Sequence, residues 1–174
     1  MSGWGKYVIA ALLAAVVAHF VVIFGTPTVL MNVALQRVSG GGHYNAWHLS
    51  ERVTKASRAI VRPSPDFAYS VCPYDLSNGP VRIHVTPWSD YWSLSLYANN
   101  SDNYFVLDDR EAQNGVDVLL IRAGSAPPDH ETATIVPSPS ERGIALIRRL
   151  APTPDTYAGA AQVSHTDVCA GAAH

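Results

Sequence analysis

A chain of 174 residues has room for one compact domain plus an appendage. Its formal net charge is −2 and only 15% of its residues are charged, which excludes the basic footprint of a nucleic-acid binder. The two cysteines, Cys72 and Cys169, form no Cys-x-x-Cys motif and have no histidine at metal-ligand spacing, so neither a metal site nor a cofactor is expected.

The N-terminus sets the compartment. From Tyr7 to Gly25 the chain carries no Asp, Glu, Lys or Arg. About 20 apolar helical residues cross the roughly 30 Å hydrocarbon core, so residues 7–25 are expected to lie in a lipid bilayer. Trp4 and Tyr7 stand where interfacial aromatics belong, and Lys6 with the free amino terminus supplies positive charge on the short flank. On the far side basic residues begin only at Arg37, which places the N-terminus in the cytoplasm and the bulk of the chain outside. A cleavable signal peptide ending at Val16-Val17-Ala18 is the competing reading, but apolar residues continue through Phe24 and favour a retained anchor. His19, with no second polar residue in the span, reads as an imidazole bonded within its own helix or to a neighbouring one, and not as a proton relay.

Thr26-Pro27 is expected to interrupt the span. Val29, Leu30, Val33 and Leu35 continue an apolar pattern to Val38, either as the outer end of a tilted helix or as a short amphipathic helix on the membrane surface. Ser39-Gly40-Gly41-Gly42 reads as a flexible linker. The division is therefore 1–38 for the anchor and juxtamembrane segment, 39–42 for the linker and 43–174 for the folded domain. Within 43–60, Trp47, Val53, Ala56 and Ile60 recur at helical intervals and predict an amphipathic helix packed on a sheet. His43 and His48, five apart, do not share a helical face as metal ligands would.

Residues 61–110 are written in strand language. Phe67, Tyr69 and Val71 alternate with small or polar residues. Val81, Ile83 and Val85 alternate with Arg82, His84 and Thr86, and Trp92, Leu94 and Leu96 with Ser93, Ser95 and Tyr97. Turn formers separate these runs at 63–66, 75–80, 88–90 and 99–103. Asn114-Gly115 opens a further strand, Val116 to Arg122, whose continuous apolar run suggests burial on both faces. A loop at 126–129, a short strand at 132–136 and a rigid connector, Pro137 to Ser140, follow. Ile144, Leu146 and Ile147 lead into Arg148-Arg149-Leu150 as a strand or a helix start, and the alanines after Pro154 favour a short terminal helix. Seven to nine strands suffice for a sandwich or a jelly roll.

Several of these elements occur together in one bacterial family. Pro63-Ser64-Pro65-Asp66-Phe67-Ala68-Tyr69-Ser70, then Asp75-Leu76-Ser77-Asn78-Gly79-Pro80, Tyr91-Trp92-Ser93-Leu94, the asparagine-rich turn 99–103 and Pro-Ser-Pro-Ser-Glu-Arg-Gly at 137–143 resemble the domain-of-unknown-function family twelve-fifty-four over roughly 44–150. The resemblance implies an antiparallel β-sandwich of jelly-roll type with flanking short helices. It also implies the short, membrane-anchored branch, which works beside a second small membrane protein carrying a companion domain. No activity comes with it.

For chemistry, Asp66, Tyr69, Asp75 and Arg142 are the candidate catalytic set, since a carboxylate beside a phenol and an arginine can do acid–base work in a desolvated pocket. Each also has a structural account, with Asp66 and Asp75 closing turns and Tyr69 needing a partner for its hydroxyl. Trp88 and Tyr91 are the candidates for stacking on a ligand; Trp92 is expected inside. The oxygens of Asp102, Asp108, Asp109 and the nearby asparagines lack the spacing of a calcium loop, no Gly-x-Ser-x-Gly occurs, and the sequon Asn99-Asn100-Ser101 carries little weight in bacteria. In a periplasmic domain, Cys72 and Cys169 would pair and tie the terminal helix to the first core strands. The expectation is thus a periplasmic accessory or binding module of the bacterial envelope, held in the inner membrane by one helix. A hydrolase-like enzyme with a cleft around Asp66 and Tyr69 is the alternative.

Overall fold

The computed structural model describes residues 3–54, 57, 62–128 and 131–172. A long helix, α1 (Gly5–Val38), precedes strands β1 (His48–Leu49), β2 (Phe67–Asp75), β3 (Val81–Val85), β4 (Trp92–Ala98), β5 (Asn103–Asp108), β6 (Val116–Arg122), β7 (Thr134–Ser138) and β8 (Arg142–Leu150). Helix α2 (Pro154–Ser164) and strand β9 (Val168–Gly171) complete the order. One sheet runs β1-β2-β8-β4-β5 and is antiparallel throughout. The other runs β7-β6-β3-β9, with β6 and β7 parallel, so it is mixed.

The two sheets share one core. From the five-stranded sheet come Cys72, Tyr74, Trp92, Leu94, Leu96, Ala145 and Ile147, and from the other Val81, Ile83, Val85, Val118, Leu120, Val136 and Cys169. Alternation in β3 and β4 places these residues inward as expected, Trp92 included. The disulfide Cys72–Cys169 joins β2 to β9 across this core. The domain is therefore mainly β, with an apolar helix at its N-terminus.

Four expectations are corrected. In β2 the buried residues are Ala68, Ser70, Cys72, Pro73 and Tyr74, while Phe67, Tyr69 and Val71 take the outer face. The parity is set by Cys72, whose sulfur must reach Cys169 of the other sheet, and period-two spacing alone does not say which face is inner. Second, residues 43–54 form no helix: Asn45 adopts φ 59, and His48 and Leu49 pair with Val71 and Ser70 as β1. Strand β2 offers an open edge there, and the polar pattern of 43–54 gains backbone hydrogen bonds on it; Lys55, Ala56, Arg58 and Ile60 lie outside the described residues. Third, Pro27 does not end the helix, because α1 continues with Met31 and Leu35 buried against Ile144. Fourth, Pro137 and Ser138 belong to β7, and Cys169 lies on β9 beyond the terminal helix. Asp129, at the end of the expected loop, falls outside the described residues.

Local chemistry explains the ends. Thr153 and Thr156 cap α2 reciprocally, with Pro154 in its first turn. Gly115, at φ +83, opens β6 where a Cβ would press on the Val85 carbonyl. Pro73 is tolerated within β2 because its carbonyl accepts from the Asn45 amide at 2.8 Å, on the side where two-residue β1 has ended and no strand needs the missing N–H.

Candidate functional site

The candidate residues sit at two ends of β2. Nine residue steps along the strand separate Asp66 from Asp75, about 30 Å at about 3.3 Å each. Antiparallel register pairs Asp75 with Arg142 and Phe67 with Leu150, so Arg142 joins Asp75 and stays far from Asp66 and Tyr69.

At the Asp75 end, Arg142 Nε donates to Asp75 Oδ2 at 2.8 Å and Asp75 Oδ1 accepts from the Ser77 amide at 2.9 Å. Partial burial works against the charge on Asp75. The Ser77 amide and hydroxyl, with the Arg142 guanidinium, outweigh it and hold the carboxyl below the usual carboxylate range. Asn45 brackets the same strand end, accepting from the Asp75 amide at 2.8 Å and donating to its carbonyl at 3.1 Å. The guanidinium of Arg142 lies 5.2 Å from the centre of the Tyr44 ring. Every polar contact here closes the strand end.

The Asp66 end is built differently. The Asp66 amide donates to Ser64 Oγ at 3.3 Å, so serine rather than the carboxylate closes this turn. Tyr69 accepts at its hydroxyl from the Ser64 amide at 3.0 Å. Among the described residues the Asp66 carboxylate makes no hydrogen bond, and it is exposed. Beside it stands an aromatic row: Phe67 meets Tyr91 edge-on with centroids 6.0 Å apart and Tyr69 at 6.3 Å. Tyr91 is 39% exposed. Trp88 is half-buried, donates to the Leu150 carbonyl at 2.9 Å and packs against both the core and α2. Tyr91 is thus exposed in part beside Phe67, whereas Trp88 packs against the core and α2.

Three polar clusters were not foreseen. Arg149, 1% exposed, donates from both terminal nitrogens to Asp167 at 2.8 Å and from Nη2 to the Thr86 carbonyl at 2.9 Å. Asp167 also accepts from the Thr86 amide at 3.0 Å, which ties the end of β8 to both β3 and the α2–β9 turn. The Tyr74 hydroxyl hydrogen-bonds the hydroxyls of Tyr104 and Ser138, each at 3.0 Å, and the Tyr97 carbonyl at 3.1 Å. Burial raises the Tyr104 phenol well above its ordinary range. On the outer face of the four-stranded sheet, Arg82 pairs with Asp117, and its hydrogen bonds hold that carboxyl below its usual range. Among the described residues no three His, Cys, Asp or Glu side chains gather as metal ligands would.

Comparison with known proteins adds a family and a fold. A family described as "Protein of unknown function (DUF1254)" matches residues 44–169. Nothing among curated proteins matches the chain. The crystal structure of the VPA0106 protein from Vibrio parahaemolyticus superposes with a TM-score of 0.67 at 12% identity, over 86% of this chain and 36% of that one. An uncharacterised protein from Burkholderia cenocepacia gives a TM-score of 0.46 at 17% identity, over 64% of this chain and 33% of that one. The chain thus spans about a third of the length of the structures it resembles, and at these identities the likeness concerns the fold alone.

Proposed function

Since the chain belongs to the DUF1254 family of proteins of unknown function, we propose that it is a membrane-anchored binding or accessory module of the bacterial envelope. The observation that carries this reading is α1: a 34-residue helix whose most apolar 18-residue window is wholly unburied, joined directly to a disulfide-bonded domain. Apolar side chains from Tyr7 to Phe24 face outward and need lipid around them. A disulfide suits an oxidising compartment. Lys6 on the short flank agrees with a cytoplasmic N-terminus and a periplasmic domain in the inner membrane. In this reading 1–38 is anchor and juxtamembrane segment, 39–42 the connection and 43–174 the domain, a sandwich of jelly-roll type with a parallel β6–β7 pair as its departure.

The module acts with a second small membrane protein that carries a companion domain, as the anchored branch of the family implies. Its ligand-facing surface is the aromatic row of Phe67, Tyr69 and Tyr91 beside Asp66. The experiment is affinity capture from detergent-solubilised membranes, with protease treatment of spheroplasts for orientation. Stoichiometric recovery of a small membrane protein and digestion of the domain from outside support the proposal. A monodisperse protein recovered alone removes the partner, and a domain protected in spheroplasts but not in lysed cells reverses the orientation.

A further inference from the structure

Helix α1 is longer than a membrane is thick. Its 34 residues at about 1.5 Å each reach about 51 Å, against a hydrocarbon core of about 30 Å. The surplus is not spent on a free stalk. Met31 and Leu35, one turn apart, are buried against Ile144 with Val71, Tyr97 and Tyr44 around them. Four residues before Met31, the Pro27 carbonyl accepts the Ser101 hydroxyl at 3.0 Å, which pins α1 to the β4–β5 turn. Past the helix the chain stays attached: Ser39 is 2% exposed, His43 donates to the Ser39 carbonyl at 2.8 Å, and Asn45 joins β2. On the same turns that dock, Val29, Leu30 and Val33 point away from the domain, at 60%, 55% and 36% exposure.

Resting on the reading of α1 as a membrane span, we infer that the tip of the β4–β5 hairpin, Asn99 to Asp102, sits in the phospholipid headgroup layer of the leaflet that α1 enters. The apolar face of Val29, Leu30 and Val33 leaves water only if the bilayer reaches those turns, and a tilted helix accommodates the added length. Pro27 precedes those residues by two to six positions, on the membrane side, so Ser101 and the hairpin tip it holds reach at least that depth. Its side chains are polar and exposed, as a headgroup environment requires. The domain is consequently held at one orientation to the membrane instead of swinging on a glycine tether.

The test uses the full-length protein in phosphatidylcholine vesicles doped with a nickel-chelating lipid. Spin labels are placed at Asn100→Cys, in the hairpin tip, and at Glu111→Cys, beyond the other end of β5. Asn99→Cys, whose side chain makes no hydrogen bond among the described residues, repeats the measurement should Asn100→Cys disturb the turn. Nickel headgroups are expected to speed relaxation strongly at 100 and 99 and to leave 111 near its nickel-free value. Equal relaxation at both ends, in protein that floats with the vesicles, overturns the inference and leaves the anchor intact. Protein that does not float removes the anchor and the inference together.

Discussion

Arg149 and Asp167 form a two-pronged ion pair between the sheets, with side chains 2% and 0% exposed. Desolvating both charges is costly; the Thr86 amide and carbonyl offset part of that cost, while Arg149 Nε is buried without a partner among the described residues. Removing one partner leaves the other charge buried. Arg149→Met is therefore expected to destabilise the folded chain by about 3–5 kcal/mol. The neighbouring Arg148→Met, on the outer face, loses a hydrogen bond to Tyr97 and is expected to shift stability by about 1 kcal/mol or less. Denaturant titration followed by tryptophan fluorescence in detergent compares the two, and equal losses would show that the buried pair has no special weight.

Gly143 faces the core where no side chain fits. A Cβ there would collide with the Tyr97 carbonyl and the Tyr74 hydroxyl. Gly143→Ala is expected to destabilise by about 1–3 kcal/mol, the range for overpacking. Adding Tyr74→Phe removes only the hydroxyl clash and leaves the backbone one, so the double variant should stay below wild type in midpoint. Full recovery would place the whole constraint on Tyr74.

These two sites mark where the sequence was legible. Alternation in β3 and β4 revealed the inner face, because Arg82, His84, Ser93 and Ser95 contrast with their apolar neighbours. Strand β2 has no such contrast: its outer face carries Phe67, Tyr69 and Val71 half-covered by neighbours, and its inner face holds the polar Ser70 and a Tyr74 whose hydroxyl bonds Ser138. Arg149 left one signal. Two consecutive arginines in a strand point to opposite faces, so once Ile147 is inward Arg149 must be inward too. Its partner Asp167 lies 18 residues on, after a helix, and no local pattern links them. The candidate set Asp66, Tyr69, Asp75 and Arg142 was assembled by residue type, and only register could divide it.

Cys72 and Cys169 are 97 residues apart in sequence. Closing a loop of that length contributes up to about 4–5 kcal/mol in the chain-entropy model. Replacing both by alanine is expected to lower stability by that order and to loosen β9, whose remaining supports are its pairing with β3 and the Asp167 and Ala172 contacts at its two ends. Hydrogen exchange at 168–171 measures it: protection there equal to wild type would mean that these contacts hold the strand without the disulfide.

Asp75 should contribute to acid sensitivity. Its folded carboxyl titrates below its unfolded value, so its stabilisation is present above the unfolded value, about pH 3.9, and is lost as pH falls through the depressed folded value. Asp117, lowered by its Arg82 partner, adds in the same direction. Asp75→Asn is expected to flatten the fall in melting temperature below about pH 4 while lowering stability at pH 7. An unchanged acid slope would assign the loss to other carboxylates.

Asp66 separates chemistry from structure more cleanly than any other candidate. Its carboxylate is exposed and makes no hydrogen bond among the described residues, while Ser64 closes the turn. Asp66→Asn should therefore fold normally, with a stability change within about 0.5 kcal/mol, the range for surface sites. Tyr91→Ala removes the exposed ring that meets Phe67 and should also fold, at a modest loss. A strain carrying Asp66→Asn that loses the protein's phenotype while Tyr91→Ala keeps it would point to acid–base work and the hydrolase-like alternative. Loss with Tyr91→Ala but not Asp66→Asn is the outcome expected of a stacking surface in a binding module. Melting temperature and partner recovery, read for both variants, confirm that neither loss comes from misfolding.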